Sequence, residues 1–346
     1  MTCPVTLTDR DRACWNDELA PWLPTRIFDA HVHAFELASF PPGFAFPPRN
    51  CYHKFGGQHT VAQCLEVASL LLPGIDFGML CFGTPHAETD RDEAARYSGA
   101  TADNKRIFGM TMVSPEDPIA EVERRIREYG LVGYKPYRNF VTWRDAEDVS
   151  IPDMLPAEQM AVADRLGLAI TLHIPHAARL ADPDNQRELV NLCRTYPNAK
   201  IIIAHIGRAY YLSNVVGYLD DLAPLPNAYL DLAMVNHPGV LEHAFRNFPT
   251  ERILFGSDAP IAWLRGKSVE INNQYAYLMG EDYAIGTTIH DAEQAVEFTF
   301  FYYEMLRGIR LAAERANLSR KQVEGIFADN AYGLLAGIRA GLAEKN

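Results

Sequence analysis

"RILFGSD", residues 252–258, is a short apolar run that ends in glycine, serine and a carboxylate, with Pro260 just beyond. Ile253, Leu254 and Phe255 in a row, bounded by Gly256 and a proline, read as a strand buried on both faces. A carboxylate at the end of a buried strand is costly unless it is paired or bound to a metal. Asp258 therefore needs an explanation, and the rest of the chain supplies one.

Seven more runs of the same kind precede it: "RIFDAHVH" (26–33), "DFGMLCF" (76–82), "RIFGMTMV" (106–113), "LVGYKPY" (131–137), "LAITLHI" (168–174), "KIIIAHIG" (200–207) and "NAYLDLA" (227–233). Between them lie segments with helical spacing, such as 63–72, 119–130, 157–167 and 185–196. In the second of these Ile119, Val122, Ile126 and Tyr129 share a face that ends at Gly130. Apolar strands alternating with amphipathic helices mark parallel strands joined by helical crossovers. Eight such units predict an α/β protein with a (β/α)8 TIM barrel, whose site lies at the carboxyl ends of the strands. An open doubly wound sheet is the alternative, but no GxGxxG follows any strand.

The 346 residues are read as a single domain, with the barrel core at about 26–316 and packing helices at about 317–342. A hydrophobic content of 48% with 22% charged residues is ordinary for a globular chain. The net charge of −12 argues against nucleic acid or an anionic membrane as partner. A local arginine can still bind an anionic small molecule. The opening residues lack a signal-peptide pattern, and no stretch of about 18 apolar residues occurs. Six cysteines with no CxxC pair fit reduced thiols, so a cytoplasmic location is expected.

Two insertions interrupt the repeat. Residues 34–58 leave the top of the first strand, rich in Pro, Gly and aromatics, and residues 261–290 follow the last. Loops this long are lids, binding loops or, equally, the contact surface of a homodimer. His53 and His59, in the first insertion, are expected at the surface.

The strand ends carry the chemistry. The first ends in His31-Val32-His33, the fifth in His173, the sixth in His205 and the eighth in Asp258. Residues two apart in a strand point the same way, so His31 and His33 face the barrel axis together, where His173 and Asp258 can reach the same point. Such a nitrogen-rich set suits one divalent metal, zinc most naturally, with manganese open. A single strand-end histidine is more often structural; the set is what carries the expectation. It leaves room for a bound water with a lowered pKa. Asp258 is then tolerable because it ligates the metal or bonds that water.

"DAHVH", "GYKPY", "IIAHIG", "YLDLA", "RILFGSDAP" and the terminal "IFADNAYGLL" together resemble the amidohydrolase-related (amidohydrolase 2) metal-dependent hydrolases of TIM-barrel fold. The branch is the one with aminocarboxymuconate-semialdehyde decarboxylase and the sugar-acid and pyrone-dicarboxylate lactonases. The resemblance implies His31, His33, His173 and Asp258 as metal ligands, with His205 polarising the substrate or moving a proton. Related aromatic-acid decarboxylases often have a glutamate where His31 stands, which disfavours that subgroup. Where many relatives carry a second glycine, this chain has Arg208, a candidate clamp for a substrate carboxylate. Lys135 occupies the place of a carboxylated lysine in distant binuclear relatives; here a structural or substrate-contacting lysine is expected. His176, Tyr137, Arg138 and Trp263 are further pocket candidates by position.

The leading expectation is hydrolysis of a small carboxylated lactone, ester or amide by metal-activated water, with Asp258 and His205 as the catalytic side chains. A metal-dependent carboxy-lyase using the same site is the alternative. A barrel retained only for binding is the third, and the complete ligand set argues against it.

Overall fold

The computed structural model describes residues 5–288 and 296–344. The eight apolar runs all become parallel strands. They are β1 (Arg26–His33), β2 (Asp76–Phe82), β3 and β4 (Ile107–Gly109 and Thr111–Val113), β5 (Gly133–Pro136), β6 (Ala169–Leu172), β7 (Lys200–Ile203), β8 (Ala228–Asp231) and β9 (Ile253–Leu254). The third run is split at Met110, whose amide still donates to Cys81, while Gly109 accepts from Val132. Neighbour pairs with neighbour in parallel on either side of that break. The last strand returns to the first: Ala30 donates to Phe255 at 2.8 Å, Asp258 to His31 at 2.8 Å and His33 to Ala259 at 2.9 Å. Those bonds close the TIM barrel. Gly256 permits the approach, because a Cβ there would lie 2.9 Å from that of His31.

Helices fill the crossovers where the apolar spacing asked for them: Val61–Leu71, Ile119–Glu128, Ala157–Leu166 and Pro183–Thr195, joined by Arg91–Thr101, Pro238–Asn247 and Phe301–Ala316. Their starts are fixed chemically. Thr60 and Gln63 form a capping box, and Asp90 and Asp182 accept from the first-turn amides. The connection from β7 to β8 carries only short turns.

The helices Arg320–Glu324 and Asn330–Glu344, with a π-helical stretch between them, cover the amino ends of the strands. There Asn330 donates to Thr250 and Ile253, and Phe327 stacks on Phe255 at 5.0 Å. The opposite end is left to the insertions. The second of these is a β-hairpin, β10 (Gly266–Ile271) and β11 (Gln274–Met279), with β12 (Thr287–Thr288) beside it. Residues 289–295, which include its last two expected positions, and Cys3 lie outside the described residues. The five other cysteines are free and buried. The insertions grip each other through Arg49–Asp282 at 2.9 Å and Lys54–Glu281 at 2.6 Å. Among the described residues no helix is long and apolar enough to cross a membrane.

Candidate active site

At the carboxyl ends of the strands, β1 delivers His31 and His33, and Asp258 follows β9 in a left-handed backbone conformation, φ 65°. One carboxylate oxygen of Asp258 lies 3.4 Å from Nε2 of His31 and 3.3 Å from Nε2 of His33. Lys135, from β5, sets its ammonium 2.7 Å and 3.2 Å from the same two nitrogens. The buried lysine lies over the Phe82 ring at 4.3 Å.

His31, His33 and His205 are held from behind, and for His33 and His205 this fixes the tautomer. Nδ1 of His33 lies 2.7 Å from the carbonyl of Gly83, and Nδ1 of His205 lies 2.8 Å from that of Ala233. A carbonyl only accepts, so both Nδ1 atoms carry the proton and both Nε2 atoms present a lone pair. Nδ1 of His31 meets Asp231 at 2.9 Å. The other oxygen of Asp231 accepts from the backbone of His205 at 2.7 Å and of Ala233 at 3.1 Å. Asp29 accepts from the amides of His31 and Ser257, tying β1 to the end of β9.

Burial, chiefly, pushes His33 down to about 3 and His205 down to about 4, so both rings are neutral near pH 7. His31 differs: burial and Lys135 lower it, but Asp231 and Asp258 more than offset them and raise it. Burial opposes the charge on Asp258, yet the surrounding histidines hold its carboxyl well below the usual range. Burial brings Lys135 down to about 8.

Nε2 of His31, Nε2 of His33 and an Asp258 oxygen thus form a compact group of metal-ligating atoms, within 4.8 Å of one another. Two imidazole nitrogens beside a carboxylate fit a divalent cation, which would displace the proton that the carboxylates favour on His31. His173 stands at the edge of this group rather than within it. Its ring is 5.3 Å from that of His205 and 4.9 Å from that of Tyr137, and its buried Nδ1 has no hydrogen-bond partner among the described residues.

A cavity of about 220 Å³ opens above. His33, Lys135, His173, His205 and Asp258 line its inner end, while Arg138 and Arg208 also face it. Tyr137, Tyr210, Tyr275 and Tyr277 line it as well. Two expected pocket residues are elsewhere. His176 turns to Asp182 at 2.9 Å, and Trp263 packs edge-on against His59 at 4.6 Å. His59 itself is fully buried rather than at the surface, with Nδ1 against the carbonyl of His33.

Sequence reasoning missed Asp231, although "YLDLA" puts it at a strand end like the others. It also missed Tyr275 and Tyr277, which reach the cavity from the hairpin.

No curated protein matches this chain. Solved structures share its fold. An amidohydrolase from Burkholderia multivorans with bound zinc is 16% identical, with TM-score 0.55 over 90% of this chain and 99% of that one. The 5-carboxyvanillate decarboxylase LigW from Sphingomonas paucimobilis is 15% identical, with TM-score 0.54 over 90% and 99%. A dihydroxybenzoic acid decarboxylase from Polaromonas, with manganese and the inhibitor 2-nitroresorcinol, is 16% identical, with TM-score 0.52 over 89% and 96%. A family model described as amidohydrolase matches residues 28–336. The chain belongs to this enzymatic, metal-dependent amidohydrolase family.

Proposed function

We propose that this protein hydrolyses a small carboxylated lactone, ester or amide with the help of one divalent metal. The observation that carries the reading is the convergence of two imidazole Nε2 atoms on one Asp258 oxygen, at 3.4 and 3.3 Å. His31, His33 and Asp258 would hold the ion, with His173 as the fourth donor. Zinc suits this set, and manganese is the alternative. When bound, the ion supplies a Lewis acid and lowers the pKa of an adjacent water.

The side chains do the rest. Asp231 keeps the Nδ1 proton of His31 engaged, so its Nε2 faces the site. The free oxygen of Asp258 takes a proton from the attacking water. His205 offers a lone pair at Nε2, so in this tautomer it accepts a proton rather than polarising a carbonyl. The proton it relays to the leaving group is the one Asp258 has taken from the water, so that both side chains end the cycle as they began it. Lys135 sits against the two nitrogens a metal needs, so ion and ammonium are alternatives at that point. With the metal in place, the ammonium is free to contact substrate.

A carboxy-lyase is the second reading. It is favoured by the tyrosine-lined cavity, which suits a ring, and by the presence of ring-acid decarboxylases among structures of this fold. Elemental analysis of protein purified without chelators or a histidine tag tests the metal. About one zinc or manganese ion per chain is expected, and none in His31→Ala/His33→Ala protein. With a substrate found by screening lactones, esters, amides and aromatic acids, Asp258→Asn should lower kcat by about a thousandfold or more. Unchanged turnover would sink both readings. Release of carbon dioxide without a hydrolysis product would select the lyase.

A further inference from the structure

We propose that His59 is a positioning residue for the metal: from the root of the first insertion it holds the carbonyl of His33 and so sets where the Nε2 of that ligand stands. This rests on the one-metal reading of the inner site given above.

His33 ends β1, and three different segments hold its polar groups. Its amide donates to Ala259 at 2.9 Å, its Nδ1 donates to Gly83 at 2.7 Å, and its carbonyl accepts from Nδ1 of His59. Only Nε2 is left to the site. Ala259 and Gly83 follow barrel strands, whereas His59 belongs to the insertion. Its backbone pairs with that of Phe35 in both directions, at 2.8 and 3.1 Å, which closes the root of the loop. Those are main-chain bonds, so a change of the side chain leaves the chain path in place.

The fully buried ring has one arrangement. A carbonyl only accepts, so Nδ1 carries the proton. Burial pushes the ring's pKa down to about 4, which keeps it neutral near pH 7 with a lone pair on Nε2. The Sγ of Cys64 lies 3.5 Å from that nitrogen, and burial holds the thiol protonated, so S–H is the donor. Trp263 packs edge-on against the ring at 4.6 Å, and Phe55 lies 6.1 Å from one and 5.8 Å from the other. Trp263 ends the turn that starts at Asp258: Ile261 donates to Asp258 at 3.1 Å, and Trp263 to Pro260 at 3.0 Å. The ring thus bonds one expected ligand and packs against the turn that follows another, where the roots of both insertions meet. Phenylalanine would fill the same space among these aromatics. What histidine adds is the donor to His33. Metal–ligand distances hold to within about 0.2 Å, and groups that orient a ligand typically contribute about 10–100-fold in affinity.

Zinc affinity of the full chain, measured by competition with a chromophoric chelator at pH 7, tests this. Asparagine places an N–H where Nδ1 stands, glutamine places one where Nε2 stands, and leucine offers neither. His59→Leu and His59→Gln should weaken zinc binding by about tenfold or more, while His59→Asn stays within about threefold of wild type. The visible bands of the cobalt(II)-loaded protein should shift in the first two variants and not in the third. If His59→Leu does not fold, the contrast between the glutamine and asparagine variants decides. Affinity losses that follow the thermal stability of the metal-free variants, rather than the position of the N–H, make His59 a core residue and overturn the proposal. Equal zinc affinity in all four proteins also overturns it and leaves the metal reading standing. A wild-type chain that binds neither zinc nor manganese removes the metal reading itself, and the proposal with it.

Discussion

Two groups of arginines stand near the carboxyl ends of the strands, and they are satisfied in opposite ways. Arg91 and Arg125 share the carboxylate of Asp117, at 2.6 and 2.8 Å, and Asp117 also accepts from the amide of Ser114. Arg138, Arg179 and Arg208 have no carboxylate within 4.0 Å among the described residues. Arg208 bonds carbonyls, and Arg179 lies against the Tyr210, Tyr211 and Tyr275 rings. A paired, buried arginine is spent on the fold, whereas one left unpaired keeps its charge available. The first group ties the helix after β2 to the loop after β4, and the second faces or adjoins the cavity. Substitutions on the two sides should therefore separate stability from binding.

The largest stability effect belongs to the paired side. Asp117→Asn leaves Arg91 without its anion and Arg125 with only Asp92, 3.4 Å from its Nε, and breaking such a buried pair costs about 3 kcal/mol or more. Thermal or urea unfolding at pH 7 would show it, while turnover per folded molecule stays near that of wild type. Burial raises the Asp117 pKa, but Arg91 and Arg125 more than offset this and hold it below the ordinary value. A depressed carboxylate stabilises above the unfolded pKa of about 3.9, and the stabilisation fades as pH falls through the folded value. The gap between wild type and variant should therefore be full at pH 7 and shrink below about pH 4. A gap that stays constant to pH 3 would assign the loss to packing instead.

On the unpaired side, Arg208→Gly should behave in the reverse manner. Glycine relieves the left-handed strain at φ 61° but forfeits the three carbonyl contacts and adds entropy to the unfolded chain. These terms nearly cancel, so stability should stay within about 1 kcal/mol of wild type. Binding of an acidic substrate should still weaken by about tenfold or more, read as a rise in KM. A loss of stability as large as that of Asp117→Asn would make Arg208 structural and erase the contrast.

The paired and unpaired arginines look alike in the sequence, and this marks what was legible there. The strands were, because a parallel strand buried on both faces must be a continuous apolar run. The inner end of the site was largely legible too. His31, His33, His205 and Asp258 sit at strand ends, and strand geometry alone brings them together. Asp231 sits at such an end as well, but its partner is His31, 200 positions away, and nothing local announces that. His176 and Trp263 show the limit of arguing from position, since a residue just past a strand can turn into a helix cap or a lid contact. The hairpin had a signal that went unused. Asn272-Asn273, both left-handed at φ 51° and 57°, form a tight turn before the alternating Tyr275 and Tyr277. Which loop residues face the cavity depends on chain paths that apolar periodicity does not encode.

The smallest effect should come from Arg179, which touches the hairpin rather than the cavity. Its guanidinium lies 4.6 Å from the Tyr275 ring centre, 5.8 Å from Tyr210 and 5.7 Å from Tyr211. It thus joins the loop after β6, the turn after β7 and the strand that carries two cavity tyrosines. Cation–π contacts of this sort are worth about 0.5–1 kcal/mol where water reaches them. Arg179→Ala should lower global stability by no more than about 1 kcal/mol. The hairpin would loosen locally, and hydrogen exchange of the amides of 274–279 should quicken by about threefold to fivefold. KM should rise by a similar factor with kcat unchanged, because the tyrosine wall is less often in place. Arg179→Lys keeps the charge but loses the flat face, so it should recover only part of the protection. Exchange in 274–279 that ignores both substitutions would mean that the grip of Arg49 and Lys54 on 281–282 holds the lid by itself, and that Arg179 adds to the cationic field and nothing to the lid.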